Sequence, residues 1–443
     1  MTENNASMKI NTKNKLWLVL LLAAVLLNNS NTSAATLIIT STGDSGTGSL
    51  RSALAAATNG DTIDATGVSG TILLTSGELF VNNNVTILGP GPKVLAVSGN
   101  AASRVFHFTN VTATVSGLTI TNGSGFNGGG IYIDQAFLSA SNCVVAGNSA
   151  TNGGGIYING RQSFALLTMV NSALSGNSAS SAGGGIFNDA SSQGTAQLEM
   201  RNCTVSSNVA SGGVGGIYNF APNGDAEAYI YCNTFCGNSG NGAGGILNFA
   251  ATFPTRVAMG NTILKTGASG ANIVSGGVAS FVSDGYNLCS DGGGGVLTNA
   301  TDQLNTDPML SPLQDNGGPM LTMAPVAGSP AIDKGYSFGL TNDQRGAPRP
   351  FDFSNIVNAS GGDGSDIGAF EVQLPRLNVQ QAGNVAVLNW LNYYGNFFVQ
   401  TNGSVTVPSG WGNAPGTPVV IGTQYFLTNS PISGIRFFRL KSN

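Results

Sequence analysis

Three residues after each of five regularly spaced isoleucines stand Asp134, Asn159, Asp189, Phe220 and Phe249, and the two aspartates of that series are the first candidates for chemistry. If each isoleucine marks one coil of a stacked structure, two coils separate Asp134 from Asp189, and their backbones lie about 10 Å apart. Carboxylates roughly 6.5–9.5 Å apart can serve an inverting glycosidase as acid and base. Hydrolases of that kind need several clustered acids, and a lyase needs a base. The conceivable bases are Arg161 and His107, the single histidine, and nothing in the sequence fixes either beside the acids. The expectation for Asp134 and Asp189 is therefore solvated turn or strand carboxylates, with a catalytic site as the alternative.

Directly after the isoleucines come Tyr132, Tyr157, Phe187, Tyr218 and Leu247. Facing outward they form an aromatic ladder able to stack on sugar rings; facing inward they are core stacking. Because isoleucine holds the other parity, the outward arrangement is favoured, and Tyr132, Tyr157, Phe187 and Tyr218 become candidate glycan-binding residues.

Other motifs carry less. Gly123-Ser124-Gly125-Phe126-Asn127-Gly128 fits Gly-x-Gly-x-x-Gly, but without a βαβ context it is turn chemistry. Gly361 to Asp366 resembles one calcium nonapeptide, a motif that binds between stacked copies, and it occurs once. Arg345, Arg349, Asp366 and Glu371 are expected to pair with one another or cap backbone groups. Five cysteines (Cys143, Cys203, Cys232, Cys236, Cys289) form an odd set with no zinc-like spacing. Cys143 and Cys203 fall two coils apart, beyond disulfide reach. No metal or cofactor is expected.

The positioning elements follow from a repeat. Gly128-Gly129-Gly130-Ile131, Gly153-Gly154-Gly155-Ile156, Gly183-Gly184-Gly185-Ile186, Gly215-Gly216-Ile217 and Gly244-Gly245-Ile246 place isoleucines at steps of 25, 30, 31 and 29 residues. A second motif runs in phase, from Asn142 to Asn148, Asn171 to Asn177, Asn202 to Asn208 and Cys232 to Asn238. Glycine triplets cost about 1 kcal/mol per residue inside a helix, and no 3.6-residue period is present. Short strands with Gly, Asn and Ser corners fit instead, each paired with its counterpart one coil away, about 4.8 Å along the axis. The fold class is all-β: a right-handed parallel β-helix over residues 36–300. Recurrent asparagines suit its corners, tolerating left-handed angles and bonding amide to amide between coils. Degenerate coils precede residue 128, and Gly48 to Leu54 reads as an amphipathic helix capping the open edge, with Ser49 at its N-cap.

Residues 1–35 read as an export signal: Lys9, Lys13 and Lys15 precede an apolar run from Leu16 to Leu27 and the small residues Ser33-Ala34-Ala35, with cleavage near Ala35 and Met8 as an alternative start. No later apolar run is long enough to span a bilayer as a helix. The chain carries 17 basic and 21 acidic residues without a basic cluster beyond the N-terminus, which disfavours nucleic acid. Residues 373–443 alternate like antiparallel strands of a small β-sandwich-like module, too short for an autotransporter barrel.

The chain resembles bacterial surface and secreted β-helix proteins. Thr42 to Arg51 looks like the N-terminal segment called CSLREA, and the Gly-Gly-Gly-Ile and Phe235-to-Asn238 motifs are similar to polymorphic outer membrane protein repeats of pectin-lyase-like architecture. Over residues 301–372, Leu313 to Pro319, Gly328 to Asp333, Asp343 to Gly346 and Asp366 to Glu371 resemble the choice-of-anchor Q domain. The resemblance implies an extracellular or outer-surface protein, non-enzymatic, serving surface structure, adhesion, or binding to an extracellular polysaccharide or surface matrix. Its pectin-lyase-like relatives imply the alternative, a polysaccharide-degrading lyase or glycoside hydrolase.

Overall fold

The computed structural model describes residues 34–443 apart from 254, 384, 392–396, 422–423, 430–433 and 443. The export segment expected over residues 1–35 lies almost wholly outside the described residues. Among these, no helix is long and apolar enough to cross a membrane. Residues 36–443 form one compact unit.

The coils stack as a parallel β-helix with three faces. The first face has ten strands, from Thr36–Ile38 to Ser280–Gly285. The second runs from Gly70–Leu73 to Leu288–Cys289, and the third has eight strands, from Leu79–Val81 to Ile273–Gly277. A short extra lane, Ser124–Asn127, Ser149–Asn152, Ser178–Ala182 and Val209–Ala210, widens the corner between the second and third faces. On the third face Ile131, Ile156, Ile186, Ile217, Ile246 and Ile273 are register partners in turn. All six are buried in one continuous core that extends from Ile39 to Leu297. Burying each contributes about 1.5–3 kcal/mol.

Asparagine does two separate jobs at the corners. Asn142, Asn171, Asn202 and Asn261 take left-handed φ of 50°, 47°, 52° and 50°, and Cys232 takes the same corner at 56°. The second asparagine of each motif is buried and forms a ladder: the Asn148 amide donates to Asn177 Oδ1 at 3.0 Å, Asn177 to Asn208 at 2.9 Å, and Asn208 to Asn238 at 2.9 Å. A further ladder is internal to the third face. Asn188, Asn219 and Asn248 replace the inward isoleucines of earlier coils and bond in series at 2.7 and 2.8 Å.

The glycine triplets are explained by crowding. A Cβ on Gly154 meets the Ser178 carbonyl oxygen at 2.2 Å, so only glycine lets the widened corner close.

Both ends of the core are covered. Helix Leu50–Ala56 buries Leu50 and Leu54, and its N-cap Ser49 accepts from the Ser52 amide. Beyond the last coil, Leu297 and Leu304 close the other end. Residues 301–372 contain only isolated bridges and wrap across the corner between first and second faces. There Gln344 accepts from Thr204 Oγ1 at 2.6 Å and donates to the Ser172 carbonyl at 3.0 Å. Inside the wrap Arg349 meets Glu371 at 2.8 Å with both side chains fully buried, and Arg345 meets Asp343 at 2.8 Å. The C-terminal strands form two antiparallel sheets, of four and three strands, around Ala386, Leu388, Trp390, Val399 and Leu427.

Candidate functional site

Alternate residues of a strand point to opposite sides, so the third face presents two outward columns. The first runs Phe80, His107, Tyr132, Tyr157, Phe187, Tyr218 and Leu247. The second runs Thr109, Asp134, Asn159, Asp189, Phe220 and Phe249. Tyr132, Tyr157, Phe187 and Tyr218 therefore point away from the core.

Their rings stack on one another. Centroids lie 4.8 Å apart for His107 and Tyr132, 5.6 Å for Tyr132 and Tyr157, 5.2 Å for Tyr157 and Phe187, and 4.9 Å for Phe187 and Tyr218. This self-stacking, together with Ala182 of the extra lane, leaves Tyr157 only 2% and Phe187 only 7% exposed. Phe80, 47% exposed, and the half-buried Tyr132, Tyr218, Phe220 and Phe249 are rings a ligand can reach.

The second column is polar upstream and apolar downstream. Asp134 Oδ1 accepts from the Asn159 amide at 2.7 Å, and that amide also donates to the Tyr132 hydroxyl at 3.0 Å. Asp189 is fully buried. It accepts from the Tyr157 hydroxyl, from Arg161 Nε at 2.8 Å and from the Ser191 amide at 2.8 Å. Saturated in this way, it is not free to move a proton or attack a substrate.

Neither base was placed by the sequence, yet the structure brings both to the acids. Arg161 pairs with Asp189, and His107 Nε2 lies 3.9 Å from Asp134 Oδ2. Two further residues, not anticipated, complete the polar end. Glu78 Oε1 meets His107 Nδ1 at 2.9 Å, and Arg104 Nη1 bonds Glu78 Oε2 at 2.6 Å while lying over the Tyr132 ring at 4.7 Å. A signal for them existed, since Phe106-His107-Phe108-Thr109 repeats the apolar–aromatic–apolar–polar order of Ile131-Tyr132-Ile133-Asp134. That match puts the segments before Leu79 and Phe106 at the same edge.

Ionisation reflects this pairing. The His107 hydrogen bond, opposed by burial and aided by Arg104, holds Glu78 below the usual carboxylate range. Burial pulls the Arg104 guanidinium down and pushes the Tyr132 and Tyr157 hydroxyls up, the charges of Asp134 and Asp189 adding to the two tyrosine shifts. Burial and Asp189 push Tyr218 up to about 12. All four tyrosine and phenylalanine rungs are thus neutral, and the charges beside them are largely matched.

Elsewhere the chemistry is sparse. All five cysteines are free, and four are buried. Burial pushes the Cys203 thiol up to about 12, which keeps it inert. Among the described residues, no group of three or more His, Cys, Asp or Glu side chains gathers to share a metal ion. Neither protein-family models nor curated proteins provide a match to this chain.

Proposed function

We propose that this chain is an exported extracellular or cell-surface β-helix protein whose third face binds a glycan or surface matrix without transforming it. The observation that carries the reading is the outward aromatic ladder, whose reachable rings Tyr132, Tyr218, Phe220 and Phe249 are spread over a stretch of five coils that also holds the Asp134–Asn159 hydrogen-bonding pair. Ring faces take the C–H face of a sugar, and adjacent amides and carboxylates take its hydroxyls. Export rests on the Lys9-to-Ala35 segment. A surface role draws on the similarity to polymorphic outer membrane protein repeats, CSLREA and choice-of-anchor Q segments. On a glycan microarray, Tyr218→Ala weakens binding at least tenfold. A binder indifferent to every third-face substitution, or no binder at all, counts against the reading.

One observation favours a second reading, a polysaccharide-degrading enzyme of the pectin-lyase-like kind. Glu78, braced by Arg104, holds His107 Nδ1 and turns Nε2, buried and without a hydrogen-bond partner, towards Asp134, the arrangement of an imidazole base oriented by a carboxylate. In this reading Asp189 is a structural acid and His107 with Asp134 carries the proton transfer. Release of reducing or unsaturated sugars from a polysaccharide panel, abolished in His107→Ala, supports it; no release from any substrate leaves the binding role.

A further inference from the structure

The C-terminal strands differ in charge from the rest of the chain. Residues 373–443 contain no aspartate or glutamate and four basic residues, Arg376, Arg436, Arg439 and Lys441, whereas residues 36–372 hold 20 acidic against 10 basic residues. Every ion pair among the described residues joins partners between Asp44 and Glu371, so none of the four cations meets a carboxylate there.

Two of the four share one side of a sheet. In the three-stranded sheet, Phe438 and Leu440 of strand Phe437–Ser442 pack on the module's core, so Phe437, Arg439 and Lys441 take the outer side. Their register partners are Asn402, Gln400 and Phe398. Arg439 is fixed in place: Nε and Nη2 donate to Gln400 Oε1 at 3.0 and 2.7 Å, and the guanidinium lies over the Trp411 ring at 4.4 Å. Asn402 Nδ2 donates to the Val407 carbonyl at 2.9 Å, which brings the following loop to the same side with Val405 and Val407 exposed. The outer side thus combines two exposed cations, the half-buried rings of Phe398, Trp411 and Phe437, and two exposed aliphatic side chains.

We propose that this side docks on an anionic lipid surface. Arg439 and Lys441 meet phosphate headgroups, and Val405 and Val407 enter the boundary between headgroups and acyl chains. Aromatic rings beside cations suit the same boundary. A soluble polyanion would use the cations and leave both valines in water, so the aliphatic pair favours a bilayer. The acidic excess of residues 36–372 repels an anionic surface, which leaves the acid-free module as the part of the chain such a surface attracts. The docking side is separate from the third face and does not depend on a glycan binding there.

The test uses the chain from residue 36 onward, one compact unit without the apolar Leu16-to-Leu27 run, floated with vesicles of phosphatidylcholine alone or mixed in equal parts with phosphatidylglycerol. The expected result is binding to the anionic vesicles only, weakened by added salt. Each basic side chain near such a surface contributes about fivefold in affinity, so Arg439→Gln with Lys441→Gln weakens binding about twenty-fivefold. Arg376→Gln removes the same charge from the cleft beside the four-stranded sheet and leaves binding within twofold. Val405→Ser with Val407→Ser weakens vesicle binding at least tenfold. If Arg439→Gln does not fold, the exposed Lys441→Gln decides alone, with a loss of about fivefold. Equal binding to neutral vesicles, or unchanged binding in the arginine–lysine or the valine variant, overturns the proposal. Heparin bound as tightly as the vesicles, with no effect of the valine change, assigns this side to a soluble polyanion and overturns it too.

Discussion

Arg161 Nε lies 2.8 Å from Asp189 Oδ2, joining an arginine whose side chain is 52% exposed to an aspartate that is fully buried. The two sit on adjacent coils, and the Tyr157 hydroxyl bonds the same carboxylate. One half-wet cation thereby compensates a dry anion in the middle of the aromatic ladder, the asymmetry that makes this pair structural.

Removing Arg161 strands the charge, so Arg161→Ala is expected to destabilise the fold by about 3 kcal/mol. Adding Asp189→Asn removes that charge and keeps an acceptor for Tyr157, restoring most of the loss. A double-mutant cycle in urea measures the coupling; simple additivity of the two changes contradicts it.

The two asparagines of one corner motif differ in consequence. Asn177 accepts from the Asn148 backbone and side chain and donates to the Val145 carbonyl and Asn208, all buried. Asn177→Ala orphans several of these groups and costs about 3 kcal/mol. Asn142 is needed only for its φ of 50°, so Asn142→Gly changes stability by less than about 1 kcal/mol. Denaturation midpoints compare the two, and equal losses contradict the division of labour.

Glycine roles separate in the same way. Gly154→Ala drives a methyl into the Ser178 and Gly184 carbonyls, 2.2 and 2.6 Å from the new Cβ, and is expected to lower the yield of folded protein sharply. Gly176 has open space around it but a φ of 62°, so Gly176→Ala costs only about 1–2 kcal/mol. Soluble expression and thermal melting read both.

Asp44 makes the N-terminal cap one source of acid sensitivity. Burial alone raises the Asp44 carboxyl, but hydrogen bonds from Arg51, Ser76 and Thr75 bring it down to about 2. A lowered carboxyl contributes stability that is present above its unfolded value, near 4, and is lost as pH falls through about 2. In Asp44→Asn this acid limb flattens and stability at neutral pH drops, measured as unfolding midpoint against pH. An unchanged profile rules out Asp44 as the source.

The coils from Gly128 to Leu264 were legible because glycine crowding and corner asparagines leave residue types at fixed offsets. Upstream coils lack the glycine triplet, and so the register that delivers Glu78 and Arg104 to the third face was hidden, although the His107 segment carried it. The inward Asn188–Asn219–Asn248 ladder broke the apolar parity and gave no local sign of its burial. The near-complete burial of Tyr157 and Phe187 depends on rings one coil away and on Ala182, a contact no single strand encodes. Docking of Gln344 against Ser172 and Thr204 joins residues far apart in sequence, beyond the reach of any local pattern.

Calorimetric titration of one soluble glycan ligand against paired surface variants addresses the third face most directly. A glycan-binding third face predicts that Tyr132→Ala with Tyr218→Ala abolishes binding, while Tyr229→Ala, which removes an outward ring of the first face, leaves it unchanged. Full binding by the third-face double variant, or equal loss from the first-face change, contradicts it.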